Sequence, residues 1–300
     1  MCHARRLSGR HVYGLAAAWS KSMTPHTMLS LSLLGAMCVG CANPNTLGRA
    51  QALVREHRES DAEALLRERL RQHPQDLEAR RLLIRVLAFA GDVQGARAEV
   101  GELGRRMPQN DPAPYIELGH AFELAHRYDE ALASYDDAGS VAPVRPDGPR
   151  EGGMRCARWG EAGWARPRLE EAVRRGARDA ETWHVLGLVR VRLGDLDAAE
   201  AAYRAGVASD PSRPESWLGL ATVAIARGDA GQALDAYTQV LARRPRFAAA
   251  ELGRAWALGR LGRTSDASRA LDRAEELGAP AANIAKQRAA LTAPAGAGAK

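Results

Sequence analysis

The chain has 300 residues, of which 46% are apolar and only 5% aromatic, a length that accommodates two ordinary domains or one long array of repeats. The dominance of Ala, Arg and Leu suits helices packed through small residues and argues against a β-rich core. The formal charge of +6 sits at one end, because residues 1–40 carry Arg5, Arg6, Arg10 and Lys21 without an acidic residue; the remaining 38 basic and 36 acidic residues nearly cancel, which argues against nucleic acid as a main partner.

The basic start leads into an apolar run from Met28 to Gly40, followed by Cys41. Such a run fits the core of a signal peptide and is short for a spanning helix, which needs about 20 apolar residues. Gly40-Cys41 resembles the lipobox of bacterial lipoproteins, although Cys38 stands where that motif usually has Leu. The resemblance implies that residues 1–40 are a lipoprotein-type signal peptide and that Cys41 is lipidated and becomes the mature N-terminus. It also implies that Ala42, rather than Asp, suits sorting to the outer membrane, facing the periplasm. Two alternatives stay open. Gly40-Cys41-Ala42 has the small-x-small form of an ordinary secretory cleavage site, and an uncleaved start would leave the protein in the cytoplasm. Cleavage would leave only Cys41 and Cys156, so no internal disulfide is expected.

From Asn43 a frame of 34 residues runs almost to the end of the chain. It is clearest between Ala180 and Phe247. There Trp183, Leu186, Gly187, Gly194, Asp195, Ala199, Tyr203 and Pro211 are answered 34 residues later by Trp217, Leu220, Ala221, Gly228, Asp229, Ala233, Tyr237 and Pro245. Unit 1 (43–76) is faint, with Ala50, Leu53, Ala62 and Leu66; unit 2 opens at Leu77 and carries Gly91-Asp92 and Pro108. After one extra residue, unit 3 opens at Pro112 with Tyr115, Leu118, Gly119 and Tyr135; units 5, 6 and 7 span 180–213, 214–247 and 248–281. Within unit 5, Trp183, Leu186, Gly187 and Arg190 share one face of a first helix. Gly194-Asp195 breaks the run, and Asp195 is placed to cap a second helix on which Ala199, Tyr203 and Gly206 share a face. Pro211 closes that helix. Self-similarity at this period marks a stacked repeat architecture.

The pattern resembles the tetratricopeptide repeat. The resemblance implies an all-α, right-handed superhelical solenoid of about seven helix pairs over 41–281, in which first helices line a concave groove. Unit 4 (146–179) departs from it: Pro146, Gly148, Pro149 and Gly152 crowd its first helix, and Pro167 falls in its second. Gly and Pro cost about 1 and 3 kcal/mol in a helix interior, so the first helix is expected to start late and the second to be short. The crowding reads either as drift in a tolerant array or as a flexible joint. Beyond Gly278, Pro280 opens one more helix to about Leu291, which suits the cap that a terminal repeat needs. Residues 282–300 are therefore a capping helix and a low-complexity tail, expected to be disordered.

The most enzyme-like string is Glu117-x-x-His120-x-x-Glu123-x-x-His126. Steps of three fan these residues across about half a helix circumference, so they cannot converge on one metal ion. Cys156 occupies the core position of Phe122 and Leu258 and reads as a buried thiol. With no Gly-rich phosphate loop, no Cys-x-x-Cys pair and no Ser nucleophile motif, there is no catalytic constellation and no cofactor is expected.

What remains is a binding surface. The resemblance implies that the groove is lined by Arg81, Arg85, Phe89, Ile116, His120, Glu123, Arg150, Arg158, His184, Leu188, Arg192, Leu218, Thr222, Ile225, Leu252, Trp256 and Arg260. Its first part is Arg-rich and its last part apolar. Leu188, Leu218 and Leu252 serve either the groove or the packing between units, and Trp256 is the expected anchor. Such a groove suits an extended peptide or an amphipathic helix of a partner protein, with no small-molecule substrate. The function expected from the sequence is a lipid-anchored adaptor of a bacterial envelope, in its sharpest form a pilotin-like helper in assembly of a membrane pore. The alternative is a soluble interaction scaffold, secreted or cytoplasmic.

Overall fold

The structure, a computed structural model, describes residues 45–292. The leader, Cys41 and the tail 293–300 lie outside the described residues. Among those described, fifteen α-helices and no strand are present. They pair in sequence: α1 (Thr46–Arg55) with α2 (Glu59–Gln72), α3 (Leu77–Ala90) with α4 (Val93–Gly104), and α5 (Ala113–Leu124) with α6 (Tyr128–Val141). Next come α7 (Asp147–Trp159) with α8 (Ala162–Arg174), α9 (Ala180–Arg192) with α10 (Leu196–Ser209), and α11 (Pro214–Arg227) with α12 (Ala230–Arg243). The seventh pair is α13 (Ala248–Arg260) with α14 (Thr264–Glu276), and α15 (Ala281–Thr292) follows. No helix among the described residues is long and apolar enough to cross a membrane.

The pairs begin and end where local chemistry dictates. Asp92, Asp195 and Asp229 cap second helices by accepting from the amides of Gly95, Ala198 and Gln232 at 2.9, 3.1 and 2.9 Å. Each satisfies a donor that the helix leaves free. Just before these caps the chain turns in the left-handed region, at Gly91, Gly194 and Gly228. His57 and His126 hold the same place in units 1 and 3, with φ of 57° and 58°. A side chain there costs about 1–2 kcal/mol that glycine avoids.

First helices pack on neighbouring first helices (α1 on α3, α3 on α5, α7 on α9, α9 on α11), whereas second helices pack on the first helices of their own and the following unit. That asymmetry puts the first helices on the inside of the curve. Tyr203 is the hinge pin of unit 5. A methyl on Gly187 would meet its ring at 2.6 Å, and one on Gly219 of the next unit would overlap the ring from the other side. The tyrosine therefore lies between two backbones that only glycine allows so close. Burial pushes its hydroxyl up to about 12. Arg190, which breaks the apolar face of α9, crosses to unit 4 and pairs with Glu170 at 3.1 Å, while Val191 packs against the Tyr203 cluster in its stead.

Unit 4 corrects the sequence expectation. α7 starts at Asp147, directly after Pro146, and α8 runs its full length through Pro167. Pro149 is harmless because it falls in the first turn, where amides have no helical partner. Gly148 and Gly153 are contact points, since a methyl on Gly153 would meet Leu169 at 2.7 Å and one on Gly148 would overlap the backbone of Gly139. Close approach of backbones offsets the helix propensity they forfeit. The unit is also tied to its neighbours: Arg175 donates to the Gly139 carbonyl of unit 3 at 2.8 Å, and Arg150 donates to the Thr182 hydroxyl of unit 5 at 2.9 Å. At the far end, α15 packs on α13 and α14, burying Ile284 and covering the last unit.

Candidate functional site

The inner face is made of three rows, one residue per first helix, at the fifth, ninth and thirteenth positions of each unit. The thirteenth row reads Arg55, Phe89, Leu124, Arg158, Arg192, Ala226 and Arg260, and every member is exposed. At its start, α1, α3 and α5 enclose an apolar recess of 350 Å³ between Val54, Leu82, Val86, Phe89 and Leu124, with Arg55 and Arg85 on its lining. Phe89 is 38% and Leu124 64% exposed, so large apolar side chains stand open beside two guanidinium groups.

Several expected groove residues are occupied in holding the stack together. Arg81 pairs with Glu117 of the next unit at 3.1 Å. Arg155 bridges α7 to α5, lying 2.9 Å from Glu123 and 3.3 Å from Glu151. Its guanidinium also meets His120 Nε2 at 3.0 Å. The same nitrogen lies 3.5 Å from Glu151, so His120 is held between α5 and α7 rather than presented to the groove. Tyr135 donates to Glu123 at 2.8 Å and completes the seam. His184 lies against the Tyr203 ring, with centroids 5.7 Å apart, and burial lowers its pKa. It acts as a packing residue that stays uncharged at neutral pH.

Other expected residues are less engaged. Arg85, Arg158 and Arg260 form no ion pair among the described residues, and the same holds for Arg55. Arg192 has no carboxylate and donates to the Ala157 carbonyl at 3.0 Å. Ile225 is 37% exposed, and Leu188 is half-buried and belongs to none of the buried clusters. Ile116, Leu218 and Leu252 are half-buried and packed against the core, as is Trp256, which rests on the cluster around Tyr237. Arg55 and Leu124 were not singled out from the sequence. They share the unit position of Phe89, Arg158 and Arg192, so the 34-residue frame carries the signal once the row is followed into units 1 and 3.

The Glu117–His126 string does not converge. Glu117 pairs with Arg81, His120 and Glu123 both meet Arg155, and His126 lies beyond α5 in the left-handed turn. No group of three or more His, Cys, Asp or Glu placed to hold a metal occurs among the described residues. Cys156 is buried and free, and burial pushes its thiol up from the usual range.

Three family models, each described as tetratricopeptide repeat, match the chain over residues 53–115, 180–223 and 218–282. Residues 116–179, most of unit 3 and all of unit 4, lie between the matched segments. No curated protein matches at a significant level. Among solved structures, the chain is similar to MamA at 20% identity, with a TM-score of 0.53, covering 56% of this chain and 92% of that one. It is similar to YrrB, described as a TPR protein with an unusual peptide-binding site, at 18% identity and a TM-score of 0.55, covering 67% and 98%. The C-terminal part of a TPR repeat-containing protein from Cytophaga hutchinsonii is 13% identical, with a TM-score of 0.57 and coverage of 80% and 98%. These likenesses show the fold. With its seven stacked helix pairs, the 34-residue frame and the matching repeat models, the chain belongs to the tetratricopeptide repeat proteins.

Proposed function

We propose that the chain is a non-catalytic adaptor of a bacterial envelope, held to the outer membrane by lipid on Cys41, with its groove turned to the periplasm. There it holds an acidic, amphipathic segment of a partner protein. The observation that carries the groove assignment is unspent positive charge beside exposed apolar side chains. Arg55, Arg85, Arg158 and Arg260 pair with no carboxylate among the described residues, while Phe89, Leu124 and Ile225 stand open on the same helix layer. A helix or extended segment with apolar residues on one side and Asp or Glu on the other satisfies both demands. The lipid anchor rests on the apolar run ending in Gly40-Cys41. Acyl chains together with partner contacts make a firmer attachment than one chain alone. A pilotin-like role in assembling an envelope pore is the sharpest form of this proposal, by analogy of fold.

Two measurements test the two halves separately. Cys41→Ser is expected to abolish labelling by a palmitate analogue and to release the protein from membranes; an unlabelled soluble wild type retaining Met1 or Met23 would remove the anchor. Affinity capture from membranes, followed by peptide tiling of each captured protein, is expected to locate binding in acidic segments. Arg85→Glu with Arg158→Glu should weaken that binding about tenfold or more. Trp256→Phe, which keeps the packing on the Tyr237 cluster, controls for folding. Binding that the double variant leaves untouched removes the groove from the model.

A further inference from the structure

A second recess lies in the outer layer, between units 3 and 4. It measures 850 Å³ and forms where the second helices α6 and α8 flank the end of α7. Three aromatic rings line it: Tyr128 from the start of α6, Trp159 from the end of α7 and Trp164 from the first turn of α8. Tyr128 and Trp159 lie 5.0 Å apart between centroids at 59°, and Tyr128 and Trp164 are 46% and 58% exposed. The equivalent positions at the next two junctions are Ala162, Leu193 and Ala198, then Leu196, Arg227 and Gln232. The aromatic trio is therefore no consequence of the repeat, whose stacking proceeds without it.

The charges around the rings have one sign in excess. Asp129, Asp136 and Glu161 face Arg168 alone. Arg168 donates to both oxygens of Asp136, at 2.9 and 2.6 Å, and its guanidinium lies 5.6 Å from the centre of the Trp164 ring. Asp129 and Glu161 form no ion pair among the described residues. The chain thus already contains one arginine held by an indole face and a carboxylate, and next to it stand two further rings and two uncommitted carboxylates. A cation over an aromatic face is attracted by the ring quadrupole, most strongly for Trp. A carboxylate within reach adds a charge-assisted hydrogen bond. A planar guanidinium meets both demands at once better than an ammonium does.

We propose that this recess is a second binding site, which takes an arginine side chain from a basic segment of a protein partner. It is built from the other helix layer and has the opposite sign to the groove, so it stands or falls independently of the adaptor assignment. The test follows the indole N–H resonances of Trp159, Trp164 and Trp256 in the full chain. Three probes are added in turn: an arginine-containing peptide, the same peptide with glutamate in place of arginine, and phosphocholine. The arginine peptide is expected to move Trp159 and Trp164 and to leave Trp256 in place. Its affinity should fall about tenfold in Asp129→Asn with Glu161→Gln, and again in Trp164→Ala. All three positions are exposed, and an unchanged amide spectrum elsewhere confirms that each variant is folded. An equal response to the glutamate peptide, a stronger response to phosphocholine, a response at Trp256 alone, no response to any probe, or undiminished binding by the carboxamide variant would each overturn the proposal.

Discussion

Units 4 and 5 are neighbours in one stack and reach the same helix-pair geometry with opposite side-chain choices. In unit 5 the bulk is inside: Tyr203 is 2% exposed and lies between Gly187 and Gly219. In unit 4 the smaller Leu169 fills the corresponding place against Gly153, and the following unit offers Val185 where unit 6 has Gly219. The aromatic residues of unit 4 are Trp159 and Trp164, and both line the outer recess. The contrast shows that the repeat needs its two helices close together, and that this can be met by an aromatic on glycine or by glycines that let backbones touch. Where the second solution is used, the aromatic side chains lie at the outer surface: Trp159 still rests on the core, and Trp164 is 58% exposed.

The largest effect that would break this comparison concerns the two packing keys. Tyr203→Ala is expected to cost about 3–5 kcal/mol, and Leu169→Ala to fall toward the lower end of the 2–5 kcal/mol range typical of buried leucine. Urea unfolding followed by far-UV circular dichroism measures both, and an equal or greater loss at Leu169 would contradict the distinction. Gly219→Ala comes next. Its methyl would overlap the Tyr203 ring, for an expected cost of about 1–3 kcal/mol. Pairing it with Tyr203→Leu should recover part of that loss, because the smaller side chain vacates the space; no recovery would place the strain elsewhere. The smallest effect concerns the turn between helices, where units 4 and 5 use Gly160 and Gly194 and unit 3 uses His126. His126→Gly should raise stability by about 0.5–1 kcal/mol, as relief of the left-handed strain exceeds the added chain entropy. A loss instead would mean that the His126 ring, 3.3 Å from the Tyr128 hydroxyl, contributes more than its backbone costs.

Much of the fold was legible because each repeat restates the same local code. The Asp caps, the left-handed glycines and the spacing of Leu186, Gly187 and Tyr203 are all short-range features. Helix propensity misled in unit 4, since it averages over exposed helices and prices Gly148 and Gly153 as losses. In the stack they are the points where backbones meet. The groove was legible as a set of positions and much less so as a set of roles. Arg81 and Arg85 are one turn apart on α3 and identical in type, yet Arg81 is paired with Glu117 and Arg85 has no ion pair among the described residues.

By itself, then, the sequence determined the period, the faces that pack and, outside unit 4, where helices begin and end, because in a solenoid each unit contacts only its neighbours and local pattern propagates. Only the tertiary structure decided which charges are spent and which rings are exposed. Arg150 meets Asp179, Arg168 meets Asp136 and Arg155 meets Glu123 across 29 to 32 residues of chain. Such pairings depend on the stagger between adjacent helices, which no single repeat specifies. Among the described residues, that stagger leaves guanidinium groups without an ion pair on the inner face and carboxylates without one in the outer recess.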